Sequence, residues 1–338
     1  MIRHDLDAIP TYVPGKTDPD ALKLSSNEVA GTPLPAAAEA MAKAAAGGNR
    51  YPDMGAVSLK RALSQHLGVE PENIAVGCGS SALCQQLAQA TSTPDNNIIF
   101  PWRSFEAYPI FCRITGAEPR PVPLIDGAHD LKRMLSLIDE KTSLIFLCSP
   151  NNPTGAVLST SEFHDFMAEV PEHVTVALDE AYFEFNRDTT AVNGQDEWRD
   201  YPNLICLRTF SKAYGLAGVR VGYAFGNPEL ITAVDKVGVP FQVSSVAQAG
   251  AIASLQHSEE LLARVEDTVA VRDDIADAVG AQHSQANFVW VPDCDSADLA
   301  QQLATRGILV RAFPEGLRIT VTNQEEADEF LSAWNALS

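Results

Sequence analysis

No two of the six cysteines (Cys78, Cys84, Cys112, Cys148, Cys206 and Cys294) form a CxxC pair, and the seven histidines make neither an HExxH motif nor a cluster with cysteine. A metal centre is therefore not expected. Most of the thiols sit in apolar surroundings such as LIFLCS and LICLR, so they should be buried and reduced rather than paired in disulfides. Positive charge is also scarce: 24 Lys and Arg face 44 Asp and Glu, a formal net charge of −20. Such a surface repels nucleic acid and anionic membrane, and an anionic ligand must be met by local cationic groups. No apolar run approaches the ~18 residues of a membrane span, and MIRHDLDAIPTYVPGK has no apolar signal-peptide core, which points to the cytoplasm.

What is present is a long alternation of apolar runs and helical windows. Residues 1–34 are proline-rich and irregular and read as an N-terminal arm, with LKLSSNEVAGTPLP as a short strand and turn. A helix is expected from Pro35 to the GGNRYPD stop, and a second over SLKRALSQHLG, ending at Gly68. Strand windows follow at 73–77, 97–100, 119–124, 143–149, 174–179, 204–208 and 219–225, with helical windows at 80–91, 104–115, 130–138 and 159–169. Short, continuously apolar strands separated by amphipathic helices predict an α/β fold: a mostly parallel seven-stranded sheet flanked by helices. Helical periodicity then runs from about 228 to 281. After it, FVWVP, GILVRAF and GLRITV predict strands of a smaller α+β unit. The expected division is arm 1–34, large domain 35–250 and small domain 251–338.

In sheets of this kind the ligand lies beyond the carboxyl ends of the strands, and the unusual residues fall there. Lys212 follows LICLR at a strand end, flanked by Thr209 and Ser211 and followed by Arg220. A surface lysine is the ordinary reading. A desolvated one loses its proton easily and becomes a nucleophilic amine, able to form an imine with a cofactor aldehyde. GCGSS, opening at Gly77, is a glycine turn that starts a helix, where Ser80 and Ser81 could cap it or cradle an anion. SPNNPTG is a rigid turn that projects Asn152 over a strand end, and DEAY puts Asp179 and Tyr182 at another. A carboxylate behind so apolar a strand needs a cation, whether a structural one or a protonated pyridine nitrogen. In PWRSFEAY, Phe105 is either core or a stacking surface for a planar ring. Arg318, in EGLRITV, is either an inert strand residue or a fork for a carboxylate.

Together, YVPGK, SSNE, RYPD, GCGSS, SPNNPTG, DEAY, TFSKAYGLAGVRVGY and LRITV resemble, in order and nearly end to end, the fold-type I pyridoxal-phosphate aminotransferases of the histidinol-phosphate aminotransferase-like branch. The resemblance implies pyridoxal 5'-phosphate as cofactor, held by Lys212 as a Schiff base, with Asp179 on the pyridine nitrogen. It implies that Asn152 and Tyr182 meet the ring oxygen, and that Phe105 stacks on the ring. Ser80, Ser81, Thr209, Ser211 and Arg220 hold the phosphate, and Arg318 takes the substrate carboxylate. Tyr12 lines the substrate pocket, and Arg311 matches an arginine associated in that branch with a substrate phosphate. Tyr51, in RYPD, implies a homodimer in which it reaches the partner's cofactor phosphate.

Two departures bear on the substrate. PWRSFEAY is longer than the usual segment of that branch and is similar to actinobacterial aromatic aminotransferases, and AFPEGL is shorter than the usual loop. The expected reaction is transfer of the amino group of phenylalanine, tyrosine and tryptophan to 2-oxoglutarate, with histidinol phosphate as the alternative donor. A cofactor-binding regulator and a β-eliminating lyase are the other classes. The intact lysine, the absence of a DNA-binding extension and the acidic charge speak against the regulator. The lyase is distinguished by releasing ammonia without an acceptor acid.

Overall fold

The computed structural model describes residues 2, 4–9 and 11–337. Residues 1, 3 and 10 of the expected arm and residue 338 of the expected small domain lie outside the described residues. Twelve strands are present among the described residues: β1 Leu22–Lys23, β2 Ile74–Gly77, β3 Asn97–Trp102, β4 Glu118–Pro123, β5 Thr142–Cys148, β6 Thr175–Asp179, β7 Leu204–Thr209, β8 Gly222–Gly226, β9 Phe288–Pro292, β10 Ile308–Leu309, β11 Arg311–Phe313 and β12 Gly316–Thr320. Seven of them form one sheet in the order β2-β8-β7-β6-β5-β3-β4. It is parallel except for β8, which runs antiparallel to both β2 and β7.

The sheet is parallel because its strands are joined through helices, and it is apolar along its length because helices cover both faces. Every residue of β5, β6 and β7 is buried. Residues pointing to one face (Ile145, Val176, Leu204) join one apolar cluster, and their neighbours (Leu144, Ala177, Ile205) join another. This is the in-and-out alternation of a two-sided core. The two early helices form as expected over Pro35–Ala45 and Val57–Leu67, the second closed by Gly68 in the left-handed conformation at φ 66°.

Three expectations from the sequence need correction. The run 219–225 is not one strand: a 3-10 turn at Ala217–Val219 and a left-handed Arg220 (φ 59°) come first, and pairing starts only at Gly222. GILVRAF is likewise divided, because β10 pairs with β1 in parallel while β11 pairs antiparallel with β12. Apolar periodicity shows an extended chain but not a change of partner. The helix expected from 104 begins instead at Tyr108, with Pro109 in its first turn, where the missing amide hydrogen costs nothing.

The three-stranded sheet β11-β12-β9 carries the late strands. The early segment at Leu22–Lys23 is sewn onto the same region: Leu24 packs with Ile308, Leu317 and Ile319, and its carbonyl accepts from the amide of Thr320 at 3.0 Å. That attachment carries Ser25, Ser26 and Asn27 to the edge of the large sheet. Among the described residues no helix is long and apolar enough to cross a membrane.

Candidate active site

A cleft of about 320 Å³ opens where the carboxyl ends of β5, β6 and β7 meet the Ser80–Thr91 helix and the late sheet. Of the residues singled out from the sequence, all but Tyr51 line it: Tyr12, Ser80, Ser81, Phe105, Asn152, Asp179, Tyr182, Thr209, Ser211, Lys212, Arg220, Arg311 and Arg318. They arrive from opposite ends of the chain because the strand tips share one edge of the sheet.

Asp179 is the last residue of β6 and is 3% exposed. Its Oδ2 accepts a 2.8 Å hydrogen bond from the hydroxyl of Tyr108, whereas its Oδ1 is buried without a partner. Burial raises its pKa to about 6, opposed by the Tyr108 hydroxyl and the nearby Lys212 ammonium. Lys212 Nζ donates to the carbonyl of Ser26 at 3.1 Å and lies 5.7 Å from the ring centre of Tyr182. Desolvation, reinforced by the Arg318 and Arg220 guanidinia, brings its pKa down to about 7, against the opposing pull of Glu28 and Asp179. A substantial fraction of the amine is thus neutral near neutral pH.

One end of the cleft is built for an anion. Arg220 donates to Ser211 Oγ and to Ser81 Oγ, each at 3.2 Å, joining the loop after β7 to the start of the helix at Ser80. Thr209 Oγ1 accepts from the Ser211 amide at 3.1 Å and fixes the turn between them. Gly79 (φ 79°) precedes that helix, and a β-carbon there would collide with the Arg220 guanidinium. At Gly222 a β-carbon would collide with the amide nitrogen of Ser80. Bare glycines on both sides let a guanidinium, hydroxyls and free helix amides converge.

The opposite wall carries Arg318. It is 6% exposed, donates to Asn152 Oδ1 and to the Ser25 carbonyl, and keeps a buried Nε with no partner. Neither acceptor is a carboxylate, so the guanidinium retains its charge and its capacity for an anion. Burial pulls its pKa below the usual arginine value. Tyr182 packs edge-on against Phe288 at 5.1 Å, and its hydroxyl accepts from Asn27 Nδ2 at 2.9 Å. Phe105 meets Tyr108 edge-to-face at 5.5 Å. Arg311 Nη2 donates to Glu106 Oε2 at 2.8 Å and to the Val13 carbonyl at 3.0 Å. Tyr51 stands apart, 82% exposed and stacked on Phe241 at 4.6 Å.

Three contributors were not read from the sequence. Tyr108 sits in PWRSFEAY, but nothing in a helix-start tyrosine announces that it reaches Asp179. Asn27 belongs to the SSNE motif; it takes a left-handed backbone (φ 55°) and is tied to Thr320 by two hydrogen bonds. Glu106 directly follows Phe105 and gives no local sign of its arginine partner.

The chemistry of this donor set fits pyridoxal 5'-phosphate. An orphaned carboxylate oxygen suits a cationic ring nitrogen, an easily deprotonated amine suits an aldehyde, and the serine and arginine cradle suits a phosphate. The family model for aminotransferase class I and II matches residues 19–333. The chain is 60% identical to an aromatic amino acid aminotransferase of Corynebacterium diphtheriae, over 99% of each chain. It is also 60% identical to one of Corynebacterium efficiens, over 100% of this chain and 99% of the other. It superposes on the crystal structure of a histidinol-phosphate aminotransferase from Sinorhizobium meliloti, in complex with pyridoxal-5'-phosphate, with a TM-score of 0.87 and 29% identity, covering 94% of this chain and 92% of that one. A sheet edge that brings one reactive amine, one orphaned carboxylate and one anion cradle together, and a match along almost the whole chain, lead to the same place: this protein belongs to the class I and II aminotransferases.

Proposed function

We propose that the protein is a pyridoxal 5'-phosphate-dependent aromatic amino acid aminotransferase that moves the amino group of phenylalanine, tyrosine and tryptophan to 2-oxoglutarate. The observation that carries the reading is the pairing, in one cleft, of Lys212 with an Asp179 oxygen that has no hydrogen-bond partner among the described residues. The names borne by the Corynebacterium relatives support the aromatic substrate class.

Lys212 is the residue that carries the cofactor, and Asp179 Oδ1 is the acceptor for its ring nitrogen. Ser80, Ser81, Thr209, Ser211 and Arg220 hold its phosphate. Asn152 and Tyr182 orient its ring oxygen, and Phe105 covers the ring. When bound, the cofactor supplies an electron sink for the pair left behind as the substrate Cα–H bond breaks. Arg318 fixes the substrate carboxylate, so that the α-hydrogen faces the amine. With its amine freed by the incoming amino group of the substrate, Lys212 Nζ takes that proton as a base and later delivers it as an acid, a role suited to a free amine with a pKa near 7. Tyr12 and Phe105 flank the side chain of the substrate with aromatic surface.

The same reading makes the protein a homodimer with Tyr51 reaching the partner's cofactor phosphate. An exposed apolar patch around Tyr51, with Met54, Val57, Val239 and Phe241, supports it. It also keeps the division into arm 1–34, large domain 35–250 and small domain 251–338, and a cytoplasmic location without nucleic-acid or membrane partners. The substrate assignment is tested by following cofactor absorbance as single amino donors are added to the purified holoenzyme. Phenylalanine and tyrosine should convert the cofactor more efficiently than histidinol phosphate. A clear preference for histidinol phosphate overturns the aromatic assignment.

A further inference from the structure

The register of the late hairpin sets two cations side by side. Arg311 and Arg318 are paired residues across the antiparallel β11–β12 ladder, and both side chains line the cleft. Like charges directly opposite one another repel, so this pair needs a counter-charge. Glu106 supplies it from the segment after β3: it accepts from Arg311 at 2.8 Å, with side chains only 16% (Arg311) and 29% (Glu106) exposed. Among the described residues Arg318 has no carboxylate partner, and its bonds run to an amide oxygen and a carbonyl. Of the two guanidinia that the hairpin brings to the cleft, one is therefore already neutralised and one still available to an anion.

A second arginine near the cleft is silenced in the same manner. Arg103 forms a two-pronged pair with Glu315, both contacts 2.9 Å, and lies over the rings of Trp102 and Phe313. It does not line the cleft. The Phe105–Glu106 dipeptide thus contributes an aromatic wall and a masking carboxylate at adjacent positions.

We infer that Glu106 is a specificity-determining residue: by neutralising Arg311 it makes the side-chain end of the cleft favour uncharged aromatic side chains over anionic ones. This deepens the aromatic aminotransferase reading and rests on it. An anionic side chain, that of 2-oxoglutarate in the return half-reaction included, must approach the Glu106 carboxylate or displace it from Arg311, so it binds at a cost that a neutral ring does not meet. A neutral ring meets an ion pair whose charges already cancel.

The test uses the holoenzyme in single-turnover half-reactions followed by cofactor absorbance, with L-phenylalanine and L-glutamate as donors. They share the α-amino and α-carboxylate groups and differ in the side chain. Glu106→Gln should raise the ratio of kcat/KM for glutamate to that for phenylalanine by at least about tenfold, chiefly through tighter apparent binding of glutamate rather than a faster limiting rate. Glu106→Asp keeps the charge and should hold the ratio near the wild-type value. Glu315→Gln makes the same charge change beside an arginine outside the cleft and should also leave it in place. A ratio that stays within about threefold of wild type in Glu106→Gln, or one that rises equally in Glu315→Gln, overturns the inference while leaving the aminotransferase reading intact. Wild-type enzyme that converts neither donor overturns both.

Discussion

The buried ion pair beneath the cleft gives the most demanding test of how the strand tips are held. Glu180 follows Asp179 and Arg208 precedes Thr209, so the pair sits directly behind the residues assigned to the cofactor. Glu180 is 1% exposed and Arg208 2%, and Arg208 Nε meets Glu180 Oε2 at 3.0 Å. Each partner is further satisfied: Gly194 N donates to Glu180 Oε1 at 2.9 Å, Arg208 Nη2 donates to Asn193 Oδ1 at 2.9 Å, and the guanidinium lies 3.5 Å over the ring of Phe183. Removing one charge strands the other in a site that water cannot reach. Glu180→Leu or Arg208→Met alone should therefore cost about 3–5 kcal/mol of folding stability. Changing both removes the stranded charge and leaves the Gly194 amide without its acceptor, a cost of about 1–3 kcal/mol, while the Glu184 carboxyl loses the Arg208 charge that opposes its burial. The double variant should thus be more stable than either single one, the reverse of additivity. Urea unfolding of the apoprotein, followed by tryptophan fluorescence, measures all four forms without the stabilisation that bound cofactor adds. Single variants within about 1 kcal/mol of wild type, or a double variant that loses the sum of the two, would refute the reasoning.

Three further outcomes follow from the site. In mixed dimers of Tyr51→Ala and Lys212→Ala subunits, one site regains both an intact lysine and the partner's tyrosine, so mixing two impaired proteins should restore about a quarter of wild-type activity; no gain on mixing rules out the shared site. The Lys212 pKa of about 7 predicts that uptake of pyridoxal 5'-phosphate by apoprotein accelerates through that pH, and a midpoint near that of an ordinary lysine would contradict it. The linked stability has a definite sign: the folded state holds fewer protons on Lys212 than the unfolded chain between about 7 and 10.5, so this residue's contribution makes apoprotein more stable as pH rises through that window, an effect that Lys212→Met should abolish.

Much of the site was legible because its residues break a pattern. Asp179, Asn152 and Lys212 are polar groups set directly after apolar strands, and a parallel sheet delivers such positions to one edge whatever their separation in sequence. Arg220 was legible as a cation near a lysine, but its left-handed backbone was not, and the strand was read as starting too early. Asn27 was missed although the short strand before it was read: its place depends on that strand pairing with Ile308–Leu309, and two residues carry no pattern that names so distant a partner. Tyr108 and Glu106 act on partners 71 and 205 positions away, and neither has a local feature that names its partner.

The short AFPEGL segment shows how a departure noted in sequence acquires meaning only through register. Phe313 pairs with Gly316, so Pro314 and Glu315 alone make the turn between β11 and β12. A two-residue connection fixes which residues face each other, and here it sets Arg311 opposite Arg318. A shift of one residue would turn one of the arginines to the other face of the sheet, away from the cleft, and Glu106 would have nothing to neutralise. The same turn presents Glu315 to Arg103. Turn length, strand register and the two arginine–glutamate pairs are therefore one arrangement. Lengthening the turn should disturb the balance between charged and uncharged substrates even though neither turn residue lines the cleft.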